Sequence, residues 1–181
     1  MFKTIALSVA AVLAVSLVTI LILAALKPAT FRVERTASIK APPEKIFPLI
    51  NDLRSWETWS PYEKKDPAMK KTRGEAASGK GAWYAWDGNR EIGKGRMEIA
   101  DTAAPSRVTF KLDFERPFAG HNMVDFTLAK NGDATDVTWA FHGPNLFIGK
   151  VMSLFFNMDS MVGRDFEDGL ASLKRLAEQR S

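Results

Sequence analysis

The chain has 181 residues, room for one domain of ordinary size plus an appendage. It contains no cysteine, which excludes disulfides, zinc–thiolate sites and a thiol nucleophile and leaves the redox compartment open. The net charge is +4, but Lys3 and Lys27 flank an N-terminal apolar stretch; residues 28–181 hold 23 basic against 21 acidic side chains, and no run of five Lys or Arg occurs, so nucleic acid is not an expected partner.

Thr4 to Leu26 is a run of 23 uncharged residues, thirteen of them Leu, Ile or Val. As a helix it is about 35 Å long, against about 30 Å for a hydrocarbon core. Its aliphatic residues favour insertion by roughly 5 kcal/mol on a translocon scale. The run is long for a cleaved signal peptide, and Leu23-Ala24-Ala25 and Lys27-Pro28-Ala29 are poor cleavage sites, so a single-pass anchor over residues 1–27 is expected rather than a removed leader. The basic residues after the run (Lys27, Arg32, Arg35, Lys40) favour a cytoplasmic domain. A short basic start followed by an apolar run favours export, and export is the reading carried forward.

A folded domain is expected over residues 28–181. Phe31 to Ile39 alternates, with Phe31, Val33, Ala37 and Ile39 on one face, and reads as a strand. Ala41-Pro42-Pro43-Glu44 starts a helix whose apolar face is Ile46, Phe47, Leu49, Ile50 and Leu53; Pro48 predicts that it is short or kinked. Trp56, Trp59 and Tyr62 follow in an aromatic loop or helical turn. From Met69 to His142 strands and turns alternate, beginning with an outer strand near Lys70 to Glu75. Asp87-Gly88-Asn89 and Asn131-Gly132-Asp133 carry hairpin-turn chemistry. Arg107 to Glu115 sets Val108, Phe110, Leu112 and Phe114 against polar neighbours, and Val124, Phe126, Leu128 and Val137, Trp139, Phe141 repeat the pattern. One apolar face per strand means an antiparallel sheet, wet on one side. Asp159 to Glu178 has the apolar stripe of an amphipathic helix (Met161, Val162, Phe166, Leu170, Leu173, Leu176, Ala177), with Asp159 or Ser160 able to cap it. It is the one element long enough to cover the sheet. The nearly all-apolar stretch Leu146 to Met158 reads first as the buried first half of that helix, and otherwise as a lid or a surface that dips into lipid.

The opening VERTASIKAPPEKIFPLINDLRSWETWSPYE and the ending GRDFEDGLASLKRLAE resemble the START-like helix-grip (SRPBCC) superfamily. That group holds the START lipid-transfer domains, the birch-pollen allergen type and bacterial polyketide cyclase/dehydrase-like proteins. The resemblance covers roughly residues 31–178. It implies an α+β helix-grip fold, a curved antiparallel sheet wrapped around a long C-terminal helix with a hydrophobic cavity between them, here preceded by a transmembrane helix. Neither motif is a catalytic signature, and fold does not fix function.

No catalytic residue, metal site or cofactor is expected. His121 and His142 lack ligand-type spacing and read as ordinary strand-end residues. Gly79-Lys80-Gly81 and Gly93-Lys94-Gly95 do not match a phosphate loop and read as strand bends. Asp87, Glu91, Arg96, Glu98, Asp113 and Asp125 read mostly as solvated outer-face charges, and one inward carboxylate among aromatics could act as an acid, though the sequence does not pick it. The candidate cavity lining is Trp83, Trp86, Met97, Phe110, Phe126, Trp139, Phe141, Met158, Met161 and Phe166, aromatic and Met side chains that suit an apolar site. Three functions stay open: a membrane-anchored module binding a lipid or other hydrophobic small molecule, a cyclase- or dehydratase-like enzyme acting in the same cavity, and a protein-interaction domain with a filled core that exposes either Trp56-Trp59-Tyr62 or Leu146 to Met158. An inward His142, Asp113 or Asp125 would favour the enzyme.

Overall fold

The computed structural model describes residues 2–179. Contacts group the chain into two compact units. The first joins the N-terminal segment up to Phe31 with Pro144–Met158, and the second holds Arg32–Gly143 with the residues from Asp159 onward.

In the first unit, helix α1 (Phe2–Ala25) carries apolar side chains that are exposed along its length. Its 24 residues span about 36 Å, enough to cross a bilayer. A short helix, α5 (Phe147–Met152), packs against it. The expectation that Leu146 to Met158 forms a buried first half of the terminal helix is corrected. Helix α5 ends at Met152, the Ser153 hydroxyl turns back to donate to the Lys150 carbonyl, and a separate helix starts at Met158. Phe147, Phe155 and Phe156 are exposed.

In the second unit, seven strands form one antiparallel sheet in the order β1-β7-β6-β5-β4-β3-β2. They are β1 (Thr30–Ile39), β2 (Lys70–Arg73), β3 (Trp83–Asp87), β4 (Lys94–Ala103), β5 (Arg107–Arg116), β6 (Gly120–Asn131) and β7 (Ala134–Pro144). Short, cationic β2 forms one edge, as the outer-strand reading of Lys70 onward predicts, and its size and charge suit an unpaired edge. Period two places Val108 and Phe110 on one face of β5, Val124, Phe126 and Leu128 on one face of β6, and Val137 and Trp139 on one face of β7, all buried. The register aligns them: Phe110 pairs with Val124, Val108 with Phe126, and Phe126 with Trp139. Register shifts at Lys94/Gly95 and Ile99/Asp101 put bulges in the β4–β5 ladder, the usual device for bending a sheet. Two turn expectations divide. Gly132 takes the positive φ of the β6–β7 turn, as its sequence requires. Between β3 and β4 the positive φ falls on Gly93, and the Asn89 side chain instead accepts the Glu91 and Ile92 amides.

Helix α2 (Pro43–Asn51) buries Ile46, Phe47, Leu49 and Ile50 and stops three residues after Pro48. The last carbonyls of a helix lack internal partners. Here the indoles of Trp56 and Trp59, on α3 (Trp56–Trp59), donate to the carbonyls of Ile50 and Leu49, each at 2.9 Å. The Trp pair is therefore buried, which removes one of the two exposed patches that the interaction-domain reading offered; the other, Leu146 to Met158, keeps Phe147, Phe155 and Phe156 exposed. Helix α4 (Pro61–Lys65) leads on to β2.

The terminal helix α6 (Met158–Gln179) buries Phe166, Leu170, Leu173 and Ala177. Phe166 stacks on Trp139 with centroids 4.1 Å apart. The approach is close because Gly169 has no side chain; a Cβ there would stand 2.6 Å from the Trp139 ring and 3.0 Å from Pro61. Asp159 is not the cap. It lies in the first turn, where its carboxylate accepts from Arg35 at 3.0 Å. Arg35 also binds Glu167 at 2.8 Å, and its guanidinium lies over Gly163, where a Cβ would not fit.

Candidate functional site

Aromatic side chains fill part of the space inside the sheet. Trp56 meets Phe110 and Phe126 edge-on at 5.4 and 5.8 Å, and Trp59 meets Phe126 and Trp139 at 6.0 and 5.6 Å. Next to this plug a cavity of about 310 Å³ remains open, at the small end of the range for ligand sites.

Its walls follow from strand parity. Tyr84 and Trp86 on β3, Met97 on β4, Leu112 and Phe114 on β5, Val124 on β6 and Phe141 on β7 project inward from aligned positions: Tyr84 opposes Met97, Met97 opposes Leu112, and Val124 opposes Phe141. Met161, Val162 and Phe166 close the cavity from α6, and Trp56, Tyr62, Met69 and Ile92 complete the apolar surface.

One edge is polar. Lys65 on α4 binds Asp165 of α6 at 2.8 Å and Glu91 at 3.1 Å, and all three border the cavity. Glu91 is 61% exposed while Asp165 is 18% exposed, so the trio runs from solvent to the interior. Burial pulls the Lys65 ammonium down, but its bonds to Asp165 and Glu91 outweigh that, and its pKa lies above the ordinary lysine value. The ammonium also lies 5.9 Å from the Tyr62 ring centroid. Burial pushes the Tyr62 and Tyr84 phenols up, so both remain neutral hydroxyls at the cavity surface.

Of the ten residues named from sequence, Trp86, Met97, Trp139, Phe141, Met161 and Phe166 border the cavity. Trp83 does not. Residues 83 and 86 differ in parity, so a strand cannot send both to one face, and Trp83 lies on the outer side under the Arg96 guanidinium, 4.1 Å from its ring. Phe110 and Phe126 face inward but are sealed beneath the Trp plug. Met158 belongs to the N-terminal unit and is 37% exposed. Sequence reasoning missed Tyr84, whose signal was its two-residue spacing from Trp86. It also missed Lys65 and Asp165, distant in sequence and joined only by the fold.

The histidines have partners after all. The His142 imidazole donates to Asp125 at 2.8 Å and the His121 imidazole to Asp113 at 2.7 Å, both across neighbouring strands. Asp125 also accepts from the Thr109 hydroxyl at 2.7 Å. These residues alternate with inward Phe110, Leu112, Val124 and Phe141, so both pairs lie on the outer face. Burial pushes the Asp125 carboxyl up, yet the Thr109 and His142 hydrogen bonds and the nearby cations hold it below the ordinary carboxylate value.

A family profile described as polyketide cyclase/dehydrase and lipid transport matches residues 30–178. A comparison with curated protein sequences found no match. Among solved structures, a Rhodobacter sphaeroides protein is similar with a TM-score of 0.59 at 15% identity, over 86% of this chain and 97% of its own. A Chromobacterium violaceum protein has a TM-score of 0.57 at 16% identity, over 84% and 99%. The Aha1 dimer of Colwellia psychrerythraea has 0.54 at 18%, over 80% and 93%. At these identities the structural likeness speaks for the fold, which is the helix-grip type.

Proposed function

The chain belongs to the polyketide cyclase/dehydrase and lipid transport family, and from that premise we propose that it is a membrane-anchored binding module for a lipid or other hydrophobic small molecule. The observation that carries this reading is the 310 Å³ cavity, walled by apolar side chains and edged by Lys65, Asp165 and Glu91. That arrangement suits an amphipathic ligand. Its apolar body would gain about 25 cal/mol per Å² on burial among Trp86, Met97 and Phe114, while its polar end stays near the charged trio. Both histidine–aspartate pairs lie on the other face of the sheet, so the inward His142, Asp113 or Asp125 that an enzyme reading asked for is not part of this cavity. Helix α1 supports anchoring by its length and composition, and the layout of a short basic start before an apolar run supports an exported domain.

The test uses the full chain and its Leu112→Trp variant, purified from the host in a lipid-free detergent and weighed by native mass spectrometry. Leu112 borders the cavity and is half-buried. The indole occupies part of the space while keeping the apolar character. The expected result is an adduct on the wild type that the variant lacks, identified by organic extraction. Equal adducts on both, or none on either after incubation with host lipid extract, would refute a cavity-held ligand.

A further inference from the structure

The apolar segment between β7 and α6 has no part in the cavity walls. Leu146, Phe147, Ile148, Met152, Phe155 and Phe156 are all exposed, Phe155 at 64% and Phe156 at 55%. Apolar side chains gathered in this way mark an interaction surface. Four observations within the N-terminal unit indicate its occupant. Helix α5 packs against α1. The Asn145 amide donates to the Ala29 carbonyl at 2.7 Å, and its side-chain amide donates to the Pro28 carbonyl at 3.3 Å. Pro28 and Ala29 follow closely on the end of α1 at Ala25, so the segment starts at the level where a span would leave the hydrocarbon. Residues 144–158 contain no Asp or Glu, while Lys150 and Lys27 supply positive charge, a pattern suited to anionic headgroups. Finally, much of the backbone from Lys150 onward bonds within the segment. Lys150, Ser153 and Leu154 donate to the carbonyls of Leu146, Gly149 and Val151, and Phe155 and Phe156 both donate to Met152. These bonds lower the cost of moving that part of the backbone into an interface.

We infer that residues 146–156 form a second membrane contact, a wedge lying in the headgroup and upper acyl region of the bilayer that α1 crosses. This rests on the reading of α1 as a span. The wedge holds the base of α1 against the interface at two points rather than one, which restricts the swivel that a single helix and a short linker would allow. The occupant is lipid, recognised through aromatic and aliphatic insertion with Lys150 and Lys27 at headgroup level.

The absence of cysteine makes the test direct. Single substitutions Phe155→Cys, Ile148→Cys, Leu13→Cys in α1 and Lys130→Cys on β6 each carry a polarity-sensitive fluorophore. All replace exposed residues, so folding is preserved. The full chain is reconstituted into vesicles of phosphatidylcholine and phosphatidylglycerol, with brominated acyl chains as quenchers. The expected result is blue-shifted emission and severalfold quenching at positions 155 and 148 by shallow bromines, quenching at position 13 by deep bromines, and a wet, unquenched label at position 130. Labels at 155 and 148 as wet as that at 130, with position 13 quenched, would overturn the wedge and leave the span standing. A blue shift at 155 without quenching would assign the surface to a second copy or another protein and overturn the lipid occupant. An unquenched position 13 would remove the span and with it the shared-bilayer proposal, whatever the other labels do.

Discussion

At the level of single residues, two positions decide how the helix and the sheet meet. Gly169 allows α6 to touch Trp139. In Gly169→Ala the added methyl stands 2.6 Å from the ring, and overpacking of this kind costs about 1–3 kcal/mol. Higher helix propensity returns up to about 1 kcal/mol, so the clash outweighs it. The melting temperature should fall, by about 2–4 °C per kcal/mol for a domain of this size; an unchanged melt by scanning fluorimetry would show that the helix shifts freely away from Trp139. Asp125 makes a pH prediction. Its folded-state pKa lies below the unfolded one, so its stabilisation is complete above the unfolded carboxylate range and is lost as pH falls through the folded value. Asp125→Asn should therefore be less stable than wild type at neutral pH, and the gap should close below about pH 4. Denaturant midpoints over a pH series check this, and a gap that does not narrow in acid would contradict it. Arg35 is the residue that the alternation of the first strand hid. It shares the inward parity of Val33 and Ala37, and a cation at an inward position called for a partner, which Asp159 and Glu167 supply.

At the level of elements, α1 and α6 are two long helices with opposite designs. Helix α6 has one apolar stripe and buries it. Helix α1 is apolar all round and buries almost nothing, and it is long and apolar enough to cross a membrane. Paired Leu13→Arg and Leu17→Arg would cost about 5–7 kcal/mol on the translocon scale, comparable to the whole aliphatic contribution of the run. The full chain should stay in the membrane pellet after alkaline extraction and the double variant should leave it; retention of the variant would mean that α1 is not the anchor. The stretch from Leu146 to Met158 shows where pattern reading stops. Periodicity alone cannot separate a buried helix from an exposed apolar segment, because the same side chains satisfy either. The break between Met152 and Met158 and the packing of α5 against α1 show that it is a separate element.

At the level of the whole molecule, stability is expected to be graded across the sheet. Central β5 and β6 pair on both sides and bury Phe110, Val124 and Phe126, whereas β2 is an edge strand of four residues without a buried side chain. Hydrogen exchange should therefore be slowest in β5, β6 and the Phe166–Leu173 stretch of α6 and fast in β2. Equal protection in β2 and β5 would mean that something covers the β2 edge.

The sequence by itself determined the order of elements, the inward face of nearly every strand, the long terminal helix and the apolar N-terminal run, because each is written in a local period of 2 or 3.6 that needs no distant partner. The tertiary structure alone decided which aromatic residues fill the interior and which border a void. Phe110 and Trp86 carry the same inward signal, and the difference lies in Trp56 and Trp59, which α2 holds over one and not the other. It alone also joined Lys65 to Asp165 and His142 to Asp125, since side chains so far apart in the chain meet only when the sheet has closed around its helix.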